Sequence, residues 1–579
     1  MSKQSATRNS VPVMALILLT HIFLFSPFTI YLGNTGEFSS SIWLVLRLFS
    51  IPALSLLTIL VVIGWLFPPR IKRLYTVIVA ILGILVWFQS NVIVWDYGLL
   101  DGRSIDWSVA PWKGWVDLSI WCVALIVGTV FYERMAKKLI QTALVLFAIQ
   151  VAQFGYLVIA NKDIVFGTTK ISSSTESLNE LYKFSSKHNV VHLMLDGFQS
   201  DVFSDLIKQV PEFKSTFNGF TFYADTLGAF PYTRFAVPAF FTGKIYHNDV
   251  PKDEFIAKAF SGKSILNTAY ASGYDIDIAG EEYWIPFYTK GQYTNAYGIP
   301  NNIHMSDADF VLDNTATLLD LTLFRIAPHF IKEQIYNNQK WLIAPQLVDK
   351  EFLQFPYFSH TALMKQLTEK MTVERESPVY KYIHIMTTHT PMVVTPQCGY
   401  AGGVLQNNRP TLTAQSKCTL DTIANLFGKM KSLGIYDDAL IIMHADHGGW
   451  VPPYKFKRHQ ASNGMVIEPW MASLSSPLLA IKPPGASGNL VVSDLRASIV
   501  DVPDTISAIQ GWDVQFGRTS LVSAEVDPHR KRSFYFYTWQ RDAWETDYTG
   551  PIQEFIIDGS QHEQTWVPGK VFNPPVNLN

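Results

Sequence analysis

The chain has 579 residues, of which 48% are hydrophobic, 14% aromatic and only 16% charged. Soluble globular chains carry charge on about a quarter of their residues, so this shortfall argues against a disordered or wholly soluble protein. A net charge of −2 argues equally against a nucleic-acid binder, which needs a basic footprint.

The average conceals two unlike parts. Residues 1–160 hold 11 Lys/Arg against 6 Asp/Glu, whereas residues 161–579 hold 35 against 42. Between positions 11 and 67 only Glu37 and Arg47 are charged. Apolar runs long enough to cross about 30 Å of hydrocarbon fall at 11–32, 43–67, 74–95, 116–132 and 139–160. The fourth is the shortest and has Asp117 at its edge. No small-residue cleavage pattern follows Leu32, so the first run reads as a retained anchor. Lys3, Arg8, Arg70, Lys72, Arg73, Arg134, Lys137 and Lys138 flank one side of these runs, and only Arg103 and Lys113 the other. The positive-inside rule then places the N-terminus in the cytoplasm and everything beyond residue 161 outside. Arg47, inside or at the edge of the second run, either snorkels to the interface or holds a lipid phosphate. Cys122, within a span, reads as a small buried hydrophobe.

Residues 161–188 are polar and read as a linker with a short helix. From Asn189 onward, short β-rich runs alternate with helical stretches: 190–195, 220–223, 274–278, 382–386, 439–443, 477–481 and 533–537. Several are continuously apolar, as strands covered on both faces must be. Residues 189–579 are therefore expected to form one α/β domain with a mainly parallel sheet. The run from Ser533 and the later Glu554–Gly559 stretch read as a hairpin-like addition, remote from the motifs. Cys398 and Cys418 lie 20 residues apart and, in an oxidising compartment, could close one loop.

In an open α/β sheet, reactive residues gather at the C-terminal ends of the strands. Three ends stand out: Asp196-Gly197, His389-Thr390-Pro391, and Asp446-His447 followed by two glycines that would let a substrate approach. Adjacent Asp and His offer oxygen and nitrogen ligands to a metal. Thr233 precedes a helical stretch ending near Gly243, where a helix N-terminus would favour an anion. It could equally be an N-cap. Pro238 is awkward in that helix unless the first turns are short or kinked.

This ordered set resembles the sulfatase branch of the alkaline phosphatase superfamily. Classical sulfatases carry a Cys-x-Pro-Ser-Arg segment whose Cys lies nine residues before a Thr-Gly pair. Thr233 falls on that Cys, with Thr242-Gly243 as the pair. A five-span anchor followed by an outer catalytic domain is similar to lipoteichoic acid synthases and to phosphoethanolamine or phosphoglycerol transferases of bacterial envelopes. The resemblance implies one divalent metal (Mn, Mg or Zn) among Asp196, Thr233, Asp446 and His447, with Thr233 as nucleophile. It further implies a phospho-threonine intermediate, a membrane phospholipid donor and an envelope glycan or lipid acceptor. His389, His459 and Trp284 would contact substrate, and the chain would sit in the bacterial inner membrane with a periplasmic domain.

The sequence also departs from these families. Without Cys at 233 no formylglycine can form, so classical sulfatase chemistry is not expected. Asp196 stands where the transferases use Glu. The segment around Trp284 lacks the Arg, and the chain a matching His, that grip glycerol phosphate. Glu281 and Glu282 could suit a cationic head group such as ethanolamine, or form an acidic surface loop. A hydrolase of sulfate or phosphate esters and a non-catalytic envelope sensor are the alternative readings.

Overall fold

The computed structural model describes residues 10–35, 38, 40–98, 100, 105, 107–166, 178–281, 295–299, 307–337, 341–347, 355–453, 456–539, 546–563 and 565–575. The chain divides into two compact units: Met1–Ser173 with Met305–Lys350, and Ser174–His304 with Glu351–Asn579.

The first unit contains five helices long and apolar enough to span a bilayer: α1 (Ser10–Gly33), α2 (Ile42–Leu66), α3 (Pro69–Asn91), α4 (Pro111–Val130) and α5 (Tyr132–Ala160). Helices α3 and α5 begin five and seven residues before their apolar runs, so the basic clusters at 70–73 and 134–138 lie in their first turns. Helix α1 is interrupted by a π-helical turn, His21–Phe25. Arg47 is exposed near the start of α2. Cys122 is exposed on α4 rather than buried; an apolar thiol suits an outward face that meets hydrocarbon. Asp117 is fully buried and accepts from Trp95 Nε1 (2.9 Å), Gln89 Nε2 (3.1 Å) and the backbone N–H of His329 (2.8 Å). Three donors explain how a carboxylate is tolerated in an apolar helix.

The sequence reading assigned 305–350 to the outer domain, but these residues group with the helices. Helix Asp307–Ile326 buries Leu318 among Phe28, Tyr31 and Phe49, and Ile326 among Met14 and Leu18. The linker is also shorter than expected. Leu178, Leu181, Tyr182 and Phe184 are buried in the α/β core, and Lys183–Ser185 pairs in parallel with Thr372–Arg375.

The second unit is built on eight strands: β1 (Asn189–Leu195), β2 (Thr221–Tyr223), β3 (Asp275–Gly280), β4 (Asn295–Gly298), β5 (Val379–Ile385), β6 (Leu440–His444), β7 (Leu479–Lys482) and β8 (Val491–Ser493). Their order is β8-β2-β7-β6-β1-β5-β3-β4. Only β7 runs antiparallel to its neighbours, so the sheet is mainly parallel. All seven residues of β1, all seven of β5 and all five of β6 are buried, which is why these strands read as continuous apolar runs. The three lie side by side, with Met194 opposite both His384 and His444.

Side-chain alternation then decides the chemistry. Val191, Leu193 and Leu195 face one apolar core, while Val190 and Met194 face the other. The second core is covered by helix α6 (Thr233–Thr242), whose Phe235, Phe240 and Phe241 are completely buried. Each such side chain contributes about 1.5–3 kcal/mol. The helix runs on through Pro238 and stops at Gly243, whose φ of +69° needs glycine.

The C-terminal addition forms a separate antiparallel sheet of three strands, Arg532–Phe536, Ile552–Ile557 and Trp566–Phe572. Cys398 and Cys418 form a disulfide.

Candidate active site

Strands β1 and β6 end beside each other, and each continues its core-facing alternation into a carboxylate. Asp196 follows β1 directly, and Asp446 follows His444 by two residues. Gly197 turns the chain with φ +71°, and its N–H approaches Asp446 Oδ1 at 3.4 Å. His447 Nδ1–H donates to the carbonyl of Gly448 (2.7 Å), which leaves the Nε2 lone pair facing the two carboxylates. That nitrogen is 3.6 Å from Asp196 Oδ1 and 3.5 Å from Asp446 Oδ2. Ligand atoms of Asp196, Asp446 and His447 all lie within 4.8 Å of one another, and all three residues are buried.

Thr233 completes the group. Its hydroxyl is 3.4 Å from Asp196 Oδ2 and 3.5 Å from His447 Nε2. The helix N-cap is Tyr232, so Thr233 is the first helical residue and its side chain faces the cluster instead of capping the helix.

Two observations test whether a cation suits these residues. Asp196 Oδ1 and Asp446 Oδ2 are buried without a hydrogen-bond partner, and both are the atoms nearest His447 Nε2. Buried carboxylate oxygens left this way are costly unless a positive charge sits between them. The charge balance agrees. Burial disfavours ionised Asp196, but the His389 ring, the hydrogen bond from His384 and His447 outweigh it and hold the carboxyl well below its usual range. Asp446 is pushed up, first by burial and then by the neighbouring Asp196. Burial also disfavours charge on His447, yet Asp446 and Asp196 raise its pKa above the ordinary value. The site draws positive charge, and an oxygen-rich set with one imidazole fits a divalent ion.

His389 lies beside this centre, its ring 6.4 Å from that of His447, and its Nδ1–H donates to the Thr390 carbonyl (2.6 Å). With Gly197, Thr388, His447 and Trp450 it lines a narrow cavity. His459 is placed differently. It packs on Phe456 (5.3 Å) and contacts the Lys457 carbonyl, without a contact to the four converging residues. Trp284 and Glu282 lie outside the described residues. Glu281 is not part of an open acidic loop: it is buried and accepts from His360 Nε2 at 2.7 Å, whose Nδ1 takes the Met386 N–H. Gly448 and Gly449 also serve packing: a Cβ would stand 1.9 Å from the Ser473 carbonyl oxygen and 2.8 Å from Gln199 Oε1, respectively.

Two features escaped the sequence reading. His384, on β5, places Nε2 3.0 Å from Asp196 Oδ2 and fixes that carboxylate. It looked like one more residue of a buried strand, and only its register opposite Met194 reveals its role. The second is an aromatic wall. Tyr232 lies 6.1 Å from the half-exposed Trp450, which stacks on Trp470 at 5.5 Å. Tyr537 packs on Tyr232 at 5.3 Å, so the C-terminal addition reaches the residue next to Thr233 and is not remote from the motifs. A tryptophan immediately after Asp446-His447-Gly-Gly was the available signal.

Residues 188–511 match the family model described as Sulfatase. The chain belongs to the sulfatase family. Members of this family are metal-dependent, and the Asp196, Asp446 and His447 cluster is a candidate metal centre. No curated protein matches the chain. Among solved structures it is similar to the lipoteichoic acid synthase LtaP from Listeria monocytogenes, at 10% identity and TM-score 0.37, covering 67% of this chain and 87% of that one. It is also similar to the periplasmic domain of EptC from Escherichia coli (10%, TM-score 0.33, 65% and 95% covered). A third similar structure is a phosphonate monoester hydrolase from Silicibacter pomeroyi (11%, TM-score 0.38, 67% and 89% covered).

Proposed function

We propose that this protein is a membrane-anchored phosphotransferase. It moves a phospholipid head group, phosphoethanolamine or phosphoglycerol, to an envelope glycan or lipid through phospho-Thr233. The observation that carries the reading is the position of the Thr233 hydroxyl, on the first turn of a helix and 3.4–3.5 Å from Asp196 and His447. A free threonine is a poor nucleophile, and this is the environment that activates one.

Asp196, Asp446, His447 and Thr233 would hold a divalent ion (Mn, Mg or Zn), which supplies Lewis-acid chemistry and neutralises phosphoryl charge. Asp196 Oδ2 orients the Thr233 hydroxyl, and Oγ1 attacks phosphorus as its proton is lost to solvent. The P–O bond to diacylglycerol breaks on the opposite side, and diacylglycerol leaves with a proton. N–H groups of the first turn of α6 stabilise the added phosphoryl charge. His389, on the rim, contacts the phosphate or the leaving oxygen. The acceptor hydroxyl then displaces Thr233 from phosphorus. The five apolar helices suit a donor held in the same bilayer, and the loop charges support a catalytic unit facing the periplasm of a bacterial inner membrane.

The sulfatase-family match also favours ester hydrolysis as a second reading, with water as the acceptor. Labelled phosphatidylethanolamine and phosphatidylglycerol in membranes separate the two. Diacylglycerol release that requires a non-water acceptor is expected; release of free head group or of sulfate refutes transfer. A Thr233→Ala variant that fully complements a deletion strain would refute both enzymatic readings in favour of a sensor.

A further inference from the structure

Unit one contains a small cavity lined by residues of α1, α3, α5 and helix Asp307–Ile326. In so apolar a bundle its lining is unexpectedly polar, including His21, Ser26, Ser90, Gln150, Gln153 and Arg325. Intramembrane polar clusters are costly and normally serve a ligand. The π-helical turn of α1 begins at His21, and such turns recur at functional sites.

The hydrogen bonds show which groups are committed. Ser90 Oγ donates to the Trp87 carbonyl (3.0 Å) and accepts from His21 Nε2 (2.8 Å), while Gln150 binds His21 Nδ1. That histidine is satisfied as a neutral ring. Arg325 donates through Nε to the Ser90 carbonyl (3.0 Å). Among the described residues no carboxylate pairs with its guanidinium, and the cavity lining contains no acidic residue. Ser26 is 5% exposed, and its Oγ has no hydrogen-bond partner. The cavity thus presents an uncompensated cation and an unused buried hydroxyl, which together call for an anion.

Depth selects the kind of anion. Ser26 and Gln153 each lie seven residues before the end of their helix, at Gly33 and Ala160. At 1.5 Å per residue that is about 10 Å below those helix ends, while Ser90, Asn91 and Arg325 lie at or one residue from the ends of theirs, so the cavity runs from the head-group level down towards the acyl chains. We propose that this cavity seats the phosphate of a phospholipid head group, with Arg325 as counter-charge and Ser26 and Gln153 as donors. The site does not depend on the chemistry at Thr233.

The test uses the purified, delipidated full chain in neutral detergent, titrated with short-chain phosphatidylglycerol and followed by calorimetry and native mass spectrometry. With chelator present, so that the Thr233 site holds no metal and turns over no donor, one lipid per chain is expected, and diacylglycerol, lacking phosphate, should not bind. Arg325→Gln should weaken binding roughly 10- to 100-fold, as loss of a charged hydrogen bond does. Ser26→Ala should weaken it several-fold, and Arg325→Lys should restore part of the loss. Arg47→Gln and Thr233→Ala should bind as the parent protein does. Displacement of the lipid by an equal concentration of inorganic phosphate would make free anion the ligand and overturn the lipid assignment. Parent-like binding by Ser26→Ala together with a folded Arg325→Gln, judged by thermal melting, would overturn the site itself.

Discussion

Replacing His384 with leucine removes the donor that holds Asp196 Oδ2 at 3.0 Å, in a place where both side chains are out of water. A hydrogen bond to a charged acceptor contributes about 1.5–3 kcal/mol, equivalent to a factor of about 10–150 in an equilibrium constant. Asp196 would then be free to rotate away from Asp446 and His447. Metal affinity and kcat/KM should both fall by about 10- to 100-fold, the usual cost of losing a group that orients a ligand. Calorimetric titration of chelator-treated protein with Mn²⁺ and Zn²⁺ reads the first, and turnover of labelled phospholipid the second. His384→Gln keeps a donor and should recover part of both. The metal-dependent rise in Tm gives an independent check, since a ligand bound only by the folded state stabilises in proportion to the logarithm of its excess over Kd. If a folded His384→Leu protein binds metal with parent affinity, the positioning role is wrong.

Thr233→Ala should abolish turnover while leaving metal binding within about tenfold, because one of several ligands is lost; Thr233→Ser should retain measurable activity and label at residue 233. The metal-free and metal-loaded proteins should respond oppositely to pH. Asp446 and His447 have raised pKa values, so without metal the stability they contribute is present at lower pH and is lost as pH rises through the folded values. Asp196, held low, contributes stability that is fully present above its ordinary value of 3.8 and is lost only as pH falls below it, so it adds no pH dependence between pH 5 and 8. Cation binding must displace those protons, so metal affinity should climb with pH across the same window; flat profiles in both states would refute the assignment. Reducing Cys398–Cys418 should cost about 3 kcal/mol by the loop-entropy estimate, read as a lower denaturation midpoint in dithiothreitol. Trp450→Ala should raise KM about 2- to 10-fold, the worth of one aromatic contact, with kcat nearly unchanged.

The parts of this molecule that were legible in the sequence are those whose physics is local. Long apolar runs announced five helices, and continuous apolar strands announced a parallel sheet. Asp196, Thr233, Asp446 and His447 could be named because each sits at the end of an element and belongs to a recognisable order. His384 could not, since its meaning depends on strand register, a property of the pairing between β1 and β5 and not of either strand alone. Residues 307–326 were misassigned for a related reason. No local pattern states which core a helix will join. Trp450 and Tyr537 meet at Tyr232 from positions far apart in the chain, and only folding makes them a wall.

Because 305–350 belongs with the anchor, the chain passes between its two units three times, after Ser173, after His304 and after Lys350. During synthesis, β5 emerges only after that inserted segment, although β5 is the strand that joins β1 to β3. The central sheet therefore cannot close until the inserted helices have been synthesised. A soluble version made by simply starting after the fifth apolar helix would carry 46 residues cut off from the surface they bury. A well-behaved catalytic fragment calls for excision of 305–350 and a linker in its place.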